Sequence, residues 1–214
     1  MEHQKDHLVH FWKRHFQFNL SEIRAFASVR RDLFVPEKLM PYAYEDRPLP
    51  LLRGKTISQP TTVMIMTHAL ELEPGEKVFE VGTGSGFQSA IIGKIVGPKG
   101  KVISAEVIPE LVLFARQNLN TARISNVTVI EDDGTKGMEQ HAPFDKIIIT
   151  AACREFPKEL LAQLKPNGII VAPVGDKSEQ EMVRGIKRED GTLALEFLGQ
   201  FLFTPMYGKY GFEV

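Results

Sequence analysis

Val78-Phe79-Glu80-Val81-Gly82-Thr83-Gly84-Ser85-Gly86 decides the fold. Four residues, apolar except for Glu80, read as a short buried strand that runs straight into three alternating glycines. Glycine lets the chain turn sharply and lets a ligand come close where a Cβ would stand in the way. A strand, a glycine turn and a helix in that order open a parallel α/β unit, whose ligands sit beyond the carboxyl ends of the strands.

Working outward, a helix is predicted to about Val96, then the turn Gly97-Pro98-Lys99-Gly100. Residues 101–105 read as a second strand ending at Glu106, and Leu111, Ala115, Leu119 and Ala122 mark the next helix. Third, fourth and fifth strands follow at 127–130, 146–150 and 168–173, with a helix opened by Pro157 and carrying Leu160, Leu161 and Leu164 before the fifth. Such alternation calls for an α/β fold with a doubly wound, mostly parallel sheet. Residues 180–206 alternate more loosely and are expected to add closing antiparallel strands. Upstream, Leu8, Phe11, Trp12 and Phe16 recur at helical spacing, and Ser21 is a candidate N-cap for a second helix bearing Ile23, Phe26 and Ala27. Prolines 41, 48 and 50 break up a connecting loop, and Pro60 suits the first position of a third helix with Val63, Met66 and Leu70 on one face. Residues 1–60 (N-terminal helices and a loop) and 61–214 are read as parts of one domain.

The 214 residues are 43% hydrophobic and 25% charged, an ordinary globular composition, with 26 basic against 27 acidic side chains. A net charge of −1 gives no pull towards a polyanion, so neither nucleic acid nor an anionic membrane is expected as a partner. Cys153 has no second cysteine to pair with, which suits a reducing compartment. The polar start Met1-Glu2-His3-Gln4-Lys5-Asp6 does not read as a signal peptide and no apolar run approaches a membrane span, so a cytoplasmic protein is expected. His3, His7, His10 and His15 crowd the N-terminal helix without an acidic or thiol partner that would complete a metal site, so no metal is expected. Arg30, Arg31 and Lys38 read as a solvated face, and Cys153 as a small buried side chain.

Three positions at successive strand ends define a binding site. The glycine loop lacks the glycine at 87 that a dinucleotide fingerprint needs, since Phe87 stands there, so its spacing suits S-adenosylmethionine better than a pyrophosphate. Glu106, 20 positions past Gly86, is placed to accept both hydroxyls of a ribose, from NAD or S-adenosylmethionine alike. Asp133, ahead of Gly134, could accept from an adenine amino group, although Asp-Asp-Gly is also good turn chemistry.

From about residue 25 to 206 the chain resembles the protein-L-isoaspartate (D-aspartate) O-methyltransferase family. The matching stretches are Val29-Arg30-Arg31-Asp32-Leu33-Phe34-Val35-Pro36, Ala43-Tyr44-Glu45-Asp46-Arg47-Pro48-Leu49-Pro50 and Thr56-Ile57-Ser58-Gln59-Pro60. They continue with 81–86, Ala142-Pro143-Phe144-Asp145, Thr150-Ala151-Ala152 and Pro173-Val174-Gly175. The resemblance implies a class I S-adenosylmethionine-dependent methyltransferase fold of Rossmann-like type. It implies that Ser58 is catalytic and that Thr56, Ile57, Ser58 and Gln59 frame the reacting end of the cofactor. Gly82, Thr83, Gly84, Gly86, Glu106, Val107, Asp133 and Gly134 are implied as its other contacts, with S-adenosyl-L-homocysteine as product. Ser58, Thr61 and the segment Phe203-Thr204-Pro205 are implied to meet the acceptor, an L-isoaspartyl residue of a damaged peptide or protein, with a D-aspartyl residue left open as a second acceptor, and a monomer is expected.

The chain departs from the family at Thr61, where Tyr or His is usual, and at Phe87, Asp132, Cys153 and 201–206. Those departures keep a second acceptor open, such as an aspartate of a dedicated partner peptide. Either acceptor is a carboxylate with a pKa of roughly 3.9, already ionised at neutral pH, so a hydroxyl that orients it is enough and no general base is needed.

Overall fold

The computed structural model describes residues 2–212. Helices α1 (Glu2–His15) and α2 (Leu20–Ser28) lead to a two-stranded hairpin, β1 (Leu49–Pro50) and β2 (Thr56–Ile57), and then to α3 (Pro60–Ala69). The α/β body follows as β3 (Lys77–Val81), α4 (Phe87–Val96), β4 (Lys101–Glu106), α5 (Pro109–Thr121), β5 (Val127–Glu131), β6 (Phe144–Ile149), α6 (Lys158–Gln163) and β7 (Leu164–Gly175). Strands β8 (Gln180–Lys187) and β9 (Leu193–Phe201) close it.

The large sheet runs β5-β4-β3-β6-β7-β8-β9. Its first five strands are parallel, with Val81 opposite Ala105 of β4 on one side and Ile149 of β6 on the other. The chain therefore reverses its winding direction at β3, which puts the switch point at Gly82. β8 adds antiparallel to β7 and β9 antiparallel to β8, as the loose alternation of the tail predicted. Apolar side chains fill both faces: Phe79, Ile147, Ile149 and Ile170 one, and Val78, Val102, Ile148 and the N-terminal helices the other. Trp12, Phe26 and Phe34 belong to the same buried cluster as one face of the sheet, so the N-terminal helices pack against it.

Three local expectations give way. Helix α2 is capped by Asn19, not Ser21: the Asn19 side chain accepts from Glu22 N–H while Glu22 reaches back to the Asn19 N–H, a complete capping box. Leu164 leaves the helix for β7, which starts earlier than expected and shifts register against β6 between Phe144 and Lys146. Arg31 does not lie on a solvated face. It is fully buried, with Nε donating to the Ala43 carbonyl and Nη2 to the Ser58 carbonyl, each at 2.7 Å.

Candidate active site

A cleft of about 910 Å³, counting space open to solvent, lies beyond the carboxyl ends of β3, β4 and β6. Its floor is the glycine loop. Gly82 has φ of 94°, and a Cβ there would stand 2.7 Å from the Thr150 hydroxyl, so both backbone angle and space demand glycine. Thr150 in turn donates its hydroxyl to the Gly82 carbonyl and tethers the loop to the end of β6. Gly86, at φ of 85°, turns the chain into α4.

Glu106 is buried at the end of β4, where it accepts from Gly84 N–H at 2.9 Å and Ile108 N–H at 3.1 Å, one bond to each carboxylate oxygen. Each oxygen keeps a second lone pair for a ligand hydroxyl. Beneath the loop, Glu80 lies wholly inside the protein. It accepts from the hydroxyls of Ser89 and of Ser104, the latter at 2.5 Å, and Ser104 also meets Thr83 of the loop at 2.6 Å. Burial pushes the Glu80 carboxyl up to about 7, against the pull of the two serine hydroxyls.

The opposite wall is the β1–β2 hairpin, whose turn at Leu52–Gly54 is closed by Leu51 N–H donating to the Lys55 carbonyl at 2.7 Å. It presents Thr56, Ile57 and Ser58 to the cleft. The N-cap of α3 is Gln59, so Ser58 is free of the capping role its position before Pro60 could have explained. The third wall is the C-terminal segment. Ala152 N–H donates to the Thr204 carbonyl at 2.9 Å and Met206 N–H to the Ala152 carbonyl at 2.8 Å, which sets Thr204 and Pro205 over the end of β6.

Most of the residues expected at the site meet here: Thr56, Ile57, Ser58, Gly82, Thr83, Gly84, Glu106, Val107, Gly134, Thr204 and Pro205 all line the cleft. Gln59, Gly86, Asp133, Thr61 and Phe203 do not. Phe203 is packed in the core. Thr61 is buried and turned inward: it accepts the Trp12 indole N–H at 2.7 Å and donates its hydroxyl to Asp46 at 2.6 Å. Asp133 holds the tail, with one oxygen accepting from Thr135 and the other from Lys209 N–H at 2.8 Å. Burial opposes its ionisation, but those bonds outweigh it and hold its carboxyl below the usual range.

The sequence reading missed Lys55, Thr150, Ala151 and Tyr207, which also line the cleft. Thr150-Ala151 stood within a matching stretch and at a strand end, a signal that could have found them. Nothing local marks Lys55 or Tyr207, which meet across the cleft with the Lys55 Nζ 4.4 Å from the Tyr207 ring centroid. Cys153 turns away, its Sγ 3.6 Å from the Pro173 carbonyl, and burial pushes its thiol up to about 12.

A glycine-floored cleft at the switch point, with an acid at the end of the next strand, fits the sugar and flanking groups of a nucleoside cofactor, and fold and site together define a class I S-adenosylmethionine-dependent methyltransferase. The family model for protein-L-isoaspartate(D-aspartate) O-methyltransferase matches residues 3–211. The protein-L-isoaspartate O-methyltransferase of Methanothrix thermoacetophila is 46% identical over 191 residues, 89% of this chain and 90% of its own. Protein-L-isoaspartate O-methyltransferase 2 of Archaeoglobus fulgidus is 48% identical over 199 residues, 92% of this chain and 90% of its own. One solved protein-L-isoaspartate O-methyltransferase superposes with a TM-score of 0.87 at 26% identity, covering 97% of this chain and 67% of the other. A Plasmodium falciparum structure described under the same activity, in complex with S-adenosyl-L-homocysteine, repeats the fold with a TM-score of 0.81 at 22% identity over 95% of this chain and 98% of its own. The chain belongs to the protein-L-isoaspartate (D-aspartate) O-methyltransferase family.

Proposed function

We propose that the protein methylates the carboxylate of L-isoaspartyl residues in damaged proteins and peptides, the step that starts their repair through a succinimide. What carries this reading is that one cleft joins the glycine floor and Glu106 to the Ser58 hairpin and the Thr204–Pro205 segment. When bound, S-adenosylmethionine supplies an electrophilic methyl group on a sulfonium. Glu106 would hold the ribose through its free lone pairs, and the loop from Gly82 to Gly84 offers backbone with no side chain in the way. Asp133, outside the cleft lining with both oxygens engaged by Thr135 and Lys209, would anchor the tail and not the adenine.

Ser58 would donate its hydroxyl to one oxygen of the acceptor carboxylate and leave the other aimed at the methyl group. Such alignment of an ionised nucleophile can account for on the order of 7–11 kcal/mol of the barrier. Among the described residues, the titratable groups on the cleft wall are Lys55, Glu106 and Tyr207, with neither imidazole nor thiol among them. That set suits a reaction in which no proton is removed, and would serve a hydroxyl or amine acceptor poorly.

The working unit is read as a cytoplasmic monomer that needs no metal. No described helix is long and apolar enough to cross a membrane, and no three described His, Cys, Asp or Glu side chains are grouped to hold a metal ion. Activity that survives a chelator, and a light-scattering mass near 24.1 kDa, check those two points. The decisive experiment is transfer of labelled methyl to an isoaspartyl peptide and its aspartyl twin, which differ by one backbone methylene. The isoaspartyl form alone should be labelled. Equal labelling of both, or of neither, would move the assignment to another carboxylate.

A further inference from the structure

Arg31 lies directly behind the acceptor wall of the cleft. Its guanidinium is fully buried, pinned between the Ala43 and Ser58 carbonyls at 2.7 Å each, and its carbon sits 4.8 Å from the centroid of the Phe87 ring. Phe87 itself lines the cleft. The third nitrogen, Nη1, is buried and meets no acceptor among the described residues. No described carboxylate forms an ion pair with this cation: Asp32 pairs with Arg30, and Asp46 gives its two oxygens to Thr61. Burial pulls the Arg31 pKa down to about 9, with Tyr44 and Asp46 resisting, so the group is charged at neutral pH.

A buried cation with no ion-paired carboxylate is unfavourable, and a hydrophobic residue or a neutral amide would fill the same place with less cost. The unfavourable charge makes sense where an anion arrives from outside. We propose that Arg31 is a positioning residue for the acceptor: it fixes the Ser58 peptide that presents the hydroxyl, and its positive field favours the ionised acceptor over the neutral ester that transfer produces. The inference rests on the carboxyl methyltransferase reading given above. Transfer turns an anion into an ester, so this field holds the substrate more strongly than the product and helps the product leave. Its effect belongs in acceptor binding rather than in the rate of the chemical step, since the acceptor charge it attracts is being consumed in the transition state.

The test compares wild type, Arg31→Gln and Arg31→Lys at a temperature where circular dichroism finds all three folded. Two ligands are used: an isoaspartyl peptide, and the same peptide with its acceptor carboxylate replaced by a carboxamide, a stable neutral mimic of the ester. Arg31→Gln should raise KM for the acid at least about tenfold, while inhibition by the carboxamide peptide changes less than about threefold. Affinity for S-adenosyl-L-homocysteine by calorimetry should stay at the wild-type value in both variants. Arg31→Lys keeps the charge and should retain the preference for acid over carboxamide; this arm stands alone if Arg31→Gln does not fold. Equal weakening of acid and carboxamide, or loss of the preference in Arg31→Lys, reduces Arg31 to packing and overturns the inference. A wild type that labels no isoaspartyl peptide overturns the underlying assignment instead, and the inference with it.

Discussion

The two walls of the cleft are built by opposite means. The cofactor wall is local: Gly82, Thr83 and Gly84 follow β3, Glu106 ends β4, and Gly134 lies three residues past β5. Parallel strands deliver these residues to one edge because the sheet register delivers them. The acceptor wall is assembled from segments outside the seven-stranded sheet. Arg31 ties residue 31 to 43 and 58, its own N–H donates to the Tyr44 hydroxyl at 3.1 Å, and Asp46 ties residue 46 to 61 and, through Thr61, to Trp12. The three N-terminal stretches that carried the family resemblance are the three that Arg31 and Asp46 bring together. One wall is thus held by backbone geometry, the other by a few buried side chains, and the two should fail differently.

Gly82→Val is the strongest way to break the cofactor wall. A β-branched residue must adopt a left-handed backbone that costs it about 1–3 kcal/mol, and its Cβ would meet the Thr150 hydroxyl at 2.7 Å. Cofactor binding in calorimetry should be lost outright and the melting temperature should fall. Near-normal binding would mean that the loop relaxes freely, and that backbone geometry is not what holds this wall.

This contrast also explains what was legible in the sequence. Strand, turn and helix signals are periodic, so the parallel body, the switch point and Glu106 could be read from the chain itself. The acceptor wall has no period: Arg31 and Ser58 are 27 residues apart and Trp12 and Thr61 are 49 apart. Reading Arg31 as solvated followed from charge alone, since a lone arginine carries no mark of the carbonyls that will close on it. Thr61 stood one residue past a family motif, which drew it towards the acceptor in the reading, whereas a hydroxyl at the buried start of a helix is turned inward here. The Asn19 cap was readable, because Asn19 and Glu22 have capping-box spacing. Lys55 and Tyr207 were not, since their meeting depends on where the tail folds back.

The next prediction sharpens the cofactor wall by pH. Glu80 titrates near 7 when folded and near 4.5 as an ordinary side chain, so the folded state binds the extra proton between those values. The stability it contributes is complete below pH 4.5 and is lost as pH rises through about 7, a change of roughly 3 kcal/mol for a shift of this size. Glu80→Gln stays neutral throughout and removes this dependence. Its melting temperature relative to wild type should therefore climb between pH 5 and pH 8, whatever constant offset the amide introduces. Parallel pH curves for the two proteins would place the Glu80 proton elsewhere.

The smallest expected effect separates the two walls most sharply. Thr61→Val keeps the shape of the side chain and removes the hydroxyl that links the Trp12 indole N–H to Asp46. Asp46 keeps the Thr61 backbone N–H at 2.9 Å, so the main loss is the buried indole donor, about 1–3 kcal/mol for a group left unpaired. For a chain of this length each kcal/mol moves the melting temperature by about 2–4 °C. Trp12 is the single tryptophan and is fully buried, so the tryptophan fluorescence reports the surroundings of this one indole. A structural Thr61 predicts a lower melting temperature and altered Trp12 emission, with KM for the isoaspartyl peptide unchanged in the folded protein. The contrary result, a raised KM with stability and emission untouched, would put Thr61 in contact with the acceptor as its sequence position implied. Thr61 would then join Val63 and Met66 of α3 on the cleft wall, and the division between backbone-held and side-chain-held walls would have to be redrawn at Pro60.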